Sequence, residues 1–356
     1  MNKIANYKIC RLSNENGQDA FLKFWNENHQ KRLDEKYARW YQANPAGKAT
    51  VLVAKDSDDS LIGCFAVFPR KVSINGTSLR VGLAGDFLVH EKHRVLVPAI
   101  KLAKALVSLV REGEFDLIYG FPNRSAEPVM KRAGFKCLGP RTRLVRILGV
   151  SAYLKRFRLY KYVGRLLSPL LDVAVRLLSF ETWYRFKAGF ICEEIDTFDR
   201  RLDGLWMKSN SRFQAIGERT SELLGWRFPK QPGAERRIFV ISSTDRTELK
   251  GYIVYCIDEQ SISIEDFVLP EDKKATRVFI AHFLRYVRNE SVRSVVVQFL
   301  ENKGLLEVFK RFGFVERKSD WNIYYYGSER TSGKFPDIAD QENWFLSGFD
   351  TESFRV

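Results

Sequence analysis

A chain of 356 residues with 45% hydrophobic, 13% aromatic and 28% charged residues has the composition of a folded globular protein and room for two domains, each with its own core. Its net charge of +15 favours anionic partners, a phosphate-bearing cofactor or an anionic lipid surface among them. Five scattered cysteines without a CxxC pair, and four histidines without thiol or carboxylate partners at ligand spacing, exclude a disulfide framework and give no metal site.

The N-terminal segment has no apolar run of secretory length and no membrane-spanning apolar run occurs later, so the expected location is cytoplasmic. An aromatic and turn-rich stretch, RWYQANPAG (39–47), leads into the strand-like ATVLVA and then LIGCFAV (61–67). KVSI and SLRVGL flank Asn75-Gly76, a strong hairpin signal. The strand GDFLV (85–89) feeds a helix over about 95–112, where Leu96, Ala99, Leu102, Ala103 and Leu106 recur at helical spacing. The apolar strand in DLIYGFPN (116–123), a helix over about 125–133 ending in MKRAGFK, and a closing strand from Phe135 complete the unit.

The order then repeats. GWRFPKQPG (225–233), RIFVIS, LKGYIVY (249–255), EDFVL (265–269), a helix-like run, SVVVQFL (294–300) and FKRFGFV (309–315) follow the first set element by element. Between the copies lies a basic stretch: 141–187 holds 11 Lys or Arg against only Asp172 and Glu181. The expected organisation is a first unit over 1–150, a basic helical linker over 151–190, a second unit over 191–330 and a tail over 331–356. Each unit reads as α+β, with a mixed, mostly antiparallel sheet flanked by helices. Within the linker, 153–180 mixes leucines, aromatics and cations. It suits either a helix lying on anionic membrane or an interdomain helix pair.

This order with its KRxGF ending resembles the GNAT superfamily of N-acetyltransferases, arranged as in bacterial double-GNAT proteins. GDFLVHEKHR, YGFPN and TSELLGWRFPKQP are similar to segments of members linked to extracellular polysaccharide synthesis. The resemblance implies an N-acyltransferase that uses acetyl-CoA or another acyl-CoA as co-substrate and needs no metal. A small-molecule amine is its acceptor, and nucleic acid is not an expected partner. The cofactor would lie against Leu88, Val89 and His90 and on the turn Arg94, Val95, Leu96, Val97 and Ala99. In RVLVPA (94–99), Arg94 and Ala99 match the family's phosphate-binding pattern, while Val97 replaces its glycine and Pro98 lacks an N–H. The second copy carries Glu271 and Asp272 there, which repel phosphate, so the first copy is the expected cofactor site.

Asp86 and Glu127 are candidate bases and Tyr119 a candidate acid, because the family's usual tyrosine position holds Met130 here and Phe309 in the second copy. Two of these have a structural alternative: Asp86-Phe87 recurs as Asp266-Phe267, and Tyr119 suits a strand core. Asn123 either supports the pantetheine arm or caps the following helix. Trp40 and Tyr41 are candidate acceptor contacts, or packing residues repeated around Trp226. A GNAT-like scaffold without catalysis, and a FemABX-like transferase that takes aminoacyl-tRNA, are the alternatives to the acyltransferase reading.

Overall fold

The computed structural model describes residues 7–12, 15–149, 170, 173–184, 189–229, 236–290, 292–319 and 321–352. Asn75 and Gly76 both take positive φ, 50° and 76°, the turn whose twist suits two adjoining antiparallel strands. In the first half the strands are β1 (Lys8–Arg11), β2 (Thr50–Lys55), β3 (Leu61–Ile74), β4 (Thr77–Val89), β5 (Leu117–Gly120) and β6 (Lys136–Ile147). In the second they are β7 (Ile191–Ile195), β8 (Ala215–Gly217), β9 (Arg236–Ser242), β10 (Leu249–Asp258), β11 (Ser261–Val268), β12 (Ser294–Leu300), β13 (Val315–Arg317), β14 (Asn322–Gly327) and β15 (Trp344–Phe345).

Strands covered on both faces read as continuous apolar runs, and β2 shows why. Val51 and Val53 face a core shared with Phe21, Phe24 and Trp25 of the helix Glu15–Asn28. Leu52 and Ala54 face the other core, filled by Leu102, Ala103 and Leu106 of the helix Leu96–Arg111. In β9, Phe239 and Ile241 pack under the helix Lys273–Arg288, while Ile238 and Val240 meet Leu202 and Leu224 on the opposite face. The fold is a mixed α+β arrangement, its sheet mostly antiparallel and flanked by helices.

The halves are joined through the sheet itself. Its strand order is β1-β2-β3-β4-β5-β14-β6-β12-β11-β10-β9-β7. Strand β14, late in the chain, lies between β5 and β6, pairing Tyr324 with Gly120 on one side and with Cys137 on the other. Strand β6 bridges both halves: Lys136–Pro140 pairs with β14, and Arg141–Ile147 pairs with β12.

After β14 the chain returns through the helix Glu329–Lys334 and β15 to a final buried turn, Gly348–Asp350. Arg219, itself buried, reaches Asp266 at 3.2 Å and Asp350 at 2.6 Å. Arg70 donates to the Phe349 carbonyl, and Arg227 donates to the Gly348, Phe349 and Thr351 carbonyls. Trp40 packs on Trp226 with ring centroids 5.3 Å apart, and the Arg70 guanidinium lies 5.3–5.4 Å from both rings. The two tryptophans thus meet where the halves join, and the last turn is wedged beside them.

Most of the 153–180 segment lies outside the described residues. Of its described residues Leu170, Val173, Leu177, Leu178 and Phe180 are exposed, as is Trp183 just beyond it. No helix among the described residues is long and apolar enough to cross a membrane.

Candidate active site

The site begins where two parallel strands part. β4 and β5 pair from Val81↔Leu117 to Ala84↔Gly120, where β5 ends while β4 continues to Val89. The pairing of β3 with β4 slips at the same level, between Cys64↔Leu88 and Ala66↔Gly85. Asp86 takes φ 48° there, a left-handed conformation that marks a bulge able to redirect side chains. The gap opens into a cavity of about 1070 Å³ whose lining includes Gly85, Leu88, Val89, Asn123, Thr351 and Glu352.

Successive strand residues point their N–H groups to alternate edges. His90 donates its N–H to the Ile62 carbonyl on the β3 side, so Val89 faces the opposite edge, toward the gap. The Val89 carbonyl accepts from Arg94 Nε at 3.3 Å, in keeping with that orientation. Beyond it, the helix Leu96–Arg111 starts at Val95, which supplies no side-chain cap, so its first-turn amides stay available to an anion. Val97 is not among the positive-φ residues, and the residue is 48% exposed. The glycine of the family pattern is therefore not needed here for its backbone angles.

Arg94, Val95, Leu96 and Ala99 join Leu88, Val89 and Asn123 in the lining, whereas Val97 and His90 do not. His90 Nδ1 accepts from Lys92 N–H and closes the short turn before the helix. Asn123 Oδ1 accepts from Ser125 and from Ala126 N–H, so the residue lines the cavity and orders the entry to the helix Glu127–Ala133. In the second half the corresponding helix, Lys273–Arg288, is capped by Asp272, whose carboxylate accepts from Ala275 N–H at 2.8 Å. That end is already occupied by a negative charge.

The acid–base candidates separate by location. Asp86 is buried, with Lys36 Nζ at 2.5 Å from one oxygen and Tyr41 donating at 2.5 Å to the other. It does not line the cavity. Burial and the neighbouring Asp86 hold the Tyr41 phenol well above its usual range. Tyr119 is buried, donates to the Asp350 carbonyl at 3.1 Å and is absent from the lining; burial pushes its phenol up as well. Glu127 accepts from Tyr324 at 2.7 Å and pairs with Lys131 at 2.8 Å, again off the lining. Trp40 is fully buried at the junction of the halves. Met130 lines the cavity.

Glu352 is the residue that sequence reasoning passed over. Its Oε2 accepts from Asp86 N–H at 3.1 Å and lies 1.3 Å from where a Cβ on Gly85 would stand. A side chain at residue 85 would have to displace this carboxylate. Burial, with Asp86 adding to it and Lys36 opposing, pushes the Glu352 carboxyl up to about 7. Lys36 was equally unmarked: its partner Asp86 is distant in the chain, and no local motif links them. Among the described residues, no cluster of His, Cys, Asp or Glu is arranged to hold a metal ion.

Residues 10–138 match the model of the acetyltransferase (GNAT) domain. No curated protein matches the sequence. Among solved structures, a probable N-acyltransferase of unknown function from Enterococcus faecalis is similar with a TM-score of 0.64 at 11% identity, covering 92% of this chain and 73% of that one. A GCN5-related N-acetyltransferase from Anabaena variabilis gives 0.60 at 12% identity, covering 90% of this chain and 72% of that one. The N-myristoyltransferase of Saccharomyces cerevisiae with bound myristoyl-CoA gives 0.54 at 13% identity, covering 90% of this chain and 82% of that one. The fold is that of GNAT-type N-acyltransferases.

Proposed function

We propose that the protein transfers an acyl group, acetyl or longer, from coenzyme A to the amine of a small acceptor, with the cofactor held by the first of two tandem GNAT-like copies. The observation that carries this reading is the parting of β4 from β5 beside an uncapped helix start. One cavity wall thereby offers the Val89 amide, and the next offers first-turn amides with the positive end of a helix dipole. Phosphate oxygens would rest on the turn from Arg94 to Ala99, and the pantetheine arm would run past Asn123 along the open edge of β4. The thioester carbonyl would then lie at Val89, whose N–H stabilises the oxyanion that forms when an amine attacks. The solved neighbour holding myristoyl-CoA supports an acyl-CoA as donor.

The acceptor class, an amine on a small metabolite or on a sugar or polysaccharide precursor, rests on the sequence resemblance. Exposed apolar residues from Leu170 to Trp183, set in a basic stretch, support peripheral contact with anionic membrane. An inactive, cofactor-binding scaffold is the second reading, favoured by Met130 lining the cavity where the family pattern offers a tyrosine acid.

Isothermal titration of acetyl-CoA into the wild type and Val97→Asp tests the first reading. Val97 is exposed, and a carboxylate in the first turn of a helix stabilises that helix, so lost binding would not report lost folding. Micromolar binding abolished by the substitution supports the assignment. Equal binding by both proteins removes the phosphate site from this turn, and no binding by the wild type removes the cofactor. Release of free coenzyme A thiol with an amine separates the enzyme from the scaffold.

A further inference from the structure

The chain's last described residue lines the cavity, far in sequence from the strand it touches. Glu352 lies on Gly85, accepts from the Asp86 N–H at 3.1 Å, and lines the same cavity as Leu88, Val89 and Gly120. Asp86, the other carboxylate nearby, has an oxygen on Lys36 and an oxygen on Tyr41 and does not line the cavity. We infer that Glu352 is the general base of the transfer, delivered to the first copy by the C-terminal turn and aimed at the acceptor nitrogen.

The approach to Glu352 is fixed from several sides. The turn Gly348–Asp350 is held by the Ser347–Asp350 capping box, by Arg219 on Asp350, and by the arginines on its carbonyls. Asp86 and Lys36 face the carboxyl from the first half, with Tyr41 behind Asp86. Lys31, Arg94 and Arg141 lie around the cavity walls. A carboxyl poised near neutral pH combines a populated base form with real proton affinity, and its value of about 7 places Glu352 there.

In the step, the acceptor nitrogen forms a bond to the thioester carbon while Glu352 takes one N–H proton. The C–S bond breaks, the amide remains on the acceptor, and the proton passes from Glu352 through solvent to the departing thiolate.

The assignment rests on the acyltransferase reading, and the test keeps the two apart. Hydroxylamine serves as a small amine acceptor for the full-length protein, with free thiol release as readout and acetyl-CoA binding measured in parallel. Glu352→Gln keeps an oxygen for the Asp86 N–H. It is expected to bind acetyl-CoA within about twofold of the wild type and to lose about 100-fold in turnover, together with the limb of the pH profile near 7. Carbon-13 labelling of glutamate Cδ should show one carboxyl titrating near neutrality that this variant lacks. Absence of acetyl-CoA binding by the wild type would sink the underlying reading. Two outcomes overturn the base assignment alone: turnover by Glu352→Gln within threefold of wild type, or a Glu352 titration in the ordinary carboxylate range. A wild type that binds acetyl-CoA yet transfers nothing to hydroxylamine overturns the transfer reading and the base assignment with it.

Discussion

Asp86 and Glu352 are neighbouring carboxyls whose surroundings give them different work. Asp86 has a cation and a phenol on its oxygens, so its role is to hold the bulge of β4 against the helical turn that carries Lys36 and Tyr41. Tyr41→Phe leaves one buried carboxylate oxygen without its donor, which costs about 1–3 kcal/mol. Urea unfolding should show that loss, with acetyl-CoA affinity nearly unchanged. Glu352 behaves differently, because its folded-state value of about 7 exceeds the ordinary 4.5. Between those values the native state binds a proton that the unfolded chain has lost, so stability falls as pH rises from about 4.5 to 7 and levels off above. Glu352→Gln lacks this slope. Relative to the wild type its Tm should climb by roughly 2–6 °C between pH 5 and pH 8, in the direction opposite to the variant's loss of activity. A Tm difference that stays constant with pH would place the titrating group elsewhere.

At the scale of elements, one helix in each half of the chain begins in a different electrostatic state. The helix Leu96–Arg111 begins at Val95 without a side-chain cap, whereas Lys273–Arg288 begins at Asp272 with one. The first therefore has a positive end to offer a phosphate, and the second has satisfied its own. Asp272→Ala should cost about 0.5–2 kcal/mol of stability, seen in thermal or denaturant unfolding, without creating a second acetyl-CoA site in titration calorimetry. Much of this was legible in the sequence. Asn75-Gly76 marked the hairpin, the spacing of Leu96 to Leu106 marked the helix, and the KRAGF run marked its successor, whose end is closed by Gly134 at φ 104°. The turn that enters the helix Leu96–Arg111 was legible at Arg94 to Ala99. Val97 read as an obstacle because a pattern cannot show that its position asks only for helical angles. Asp86 and Tyr119 read as cleft residues because strand residues alternate faces, and nothing local tells which face opens. Glu352 was illegible for a plainer reason: its role depends on a tertiary approach to Gly85 from the far end of the chain.

For the whole molecule, the two halves of the chain do not divide the sheet between them. Strand β14, from beyond residue 320, covers the edge of β5, while β6 leaves the first half to pair with β12. A chain cut after the first copy therefore loses both partners. It exposes the open edge of β5 and the unpaired edges of β6, and uncovered strand edges pair with other chains. It also loses Thr351 and Glu352 from the cavity wall, along with the Phe349 and Asp350 carbonyls that accept from Arg70 and Tyr119. A fragment 1–150 made alone should be insoluble or oligomeric and should not bind acetyl-CoA. The same fragment produced together with 170–356 should form a soluble one-to-one complex that melts in a single transition, because the shared sheet couples both cores. Size-exclusion chromatography and calorimetric unfolding check both statements. A monomeric 1–150 fragment that binds acetyl-CoA would mean that the first copy folds without β14, and that the second half serves only to bring the C-terminal turn and its carboxylate to a site already complete for the cofactor.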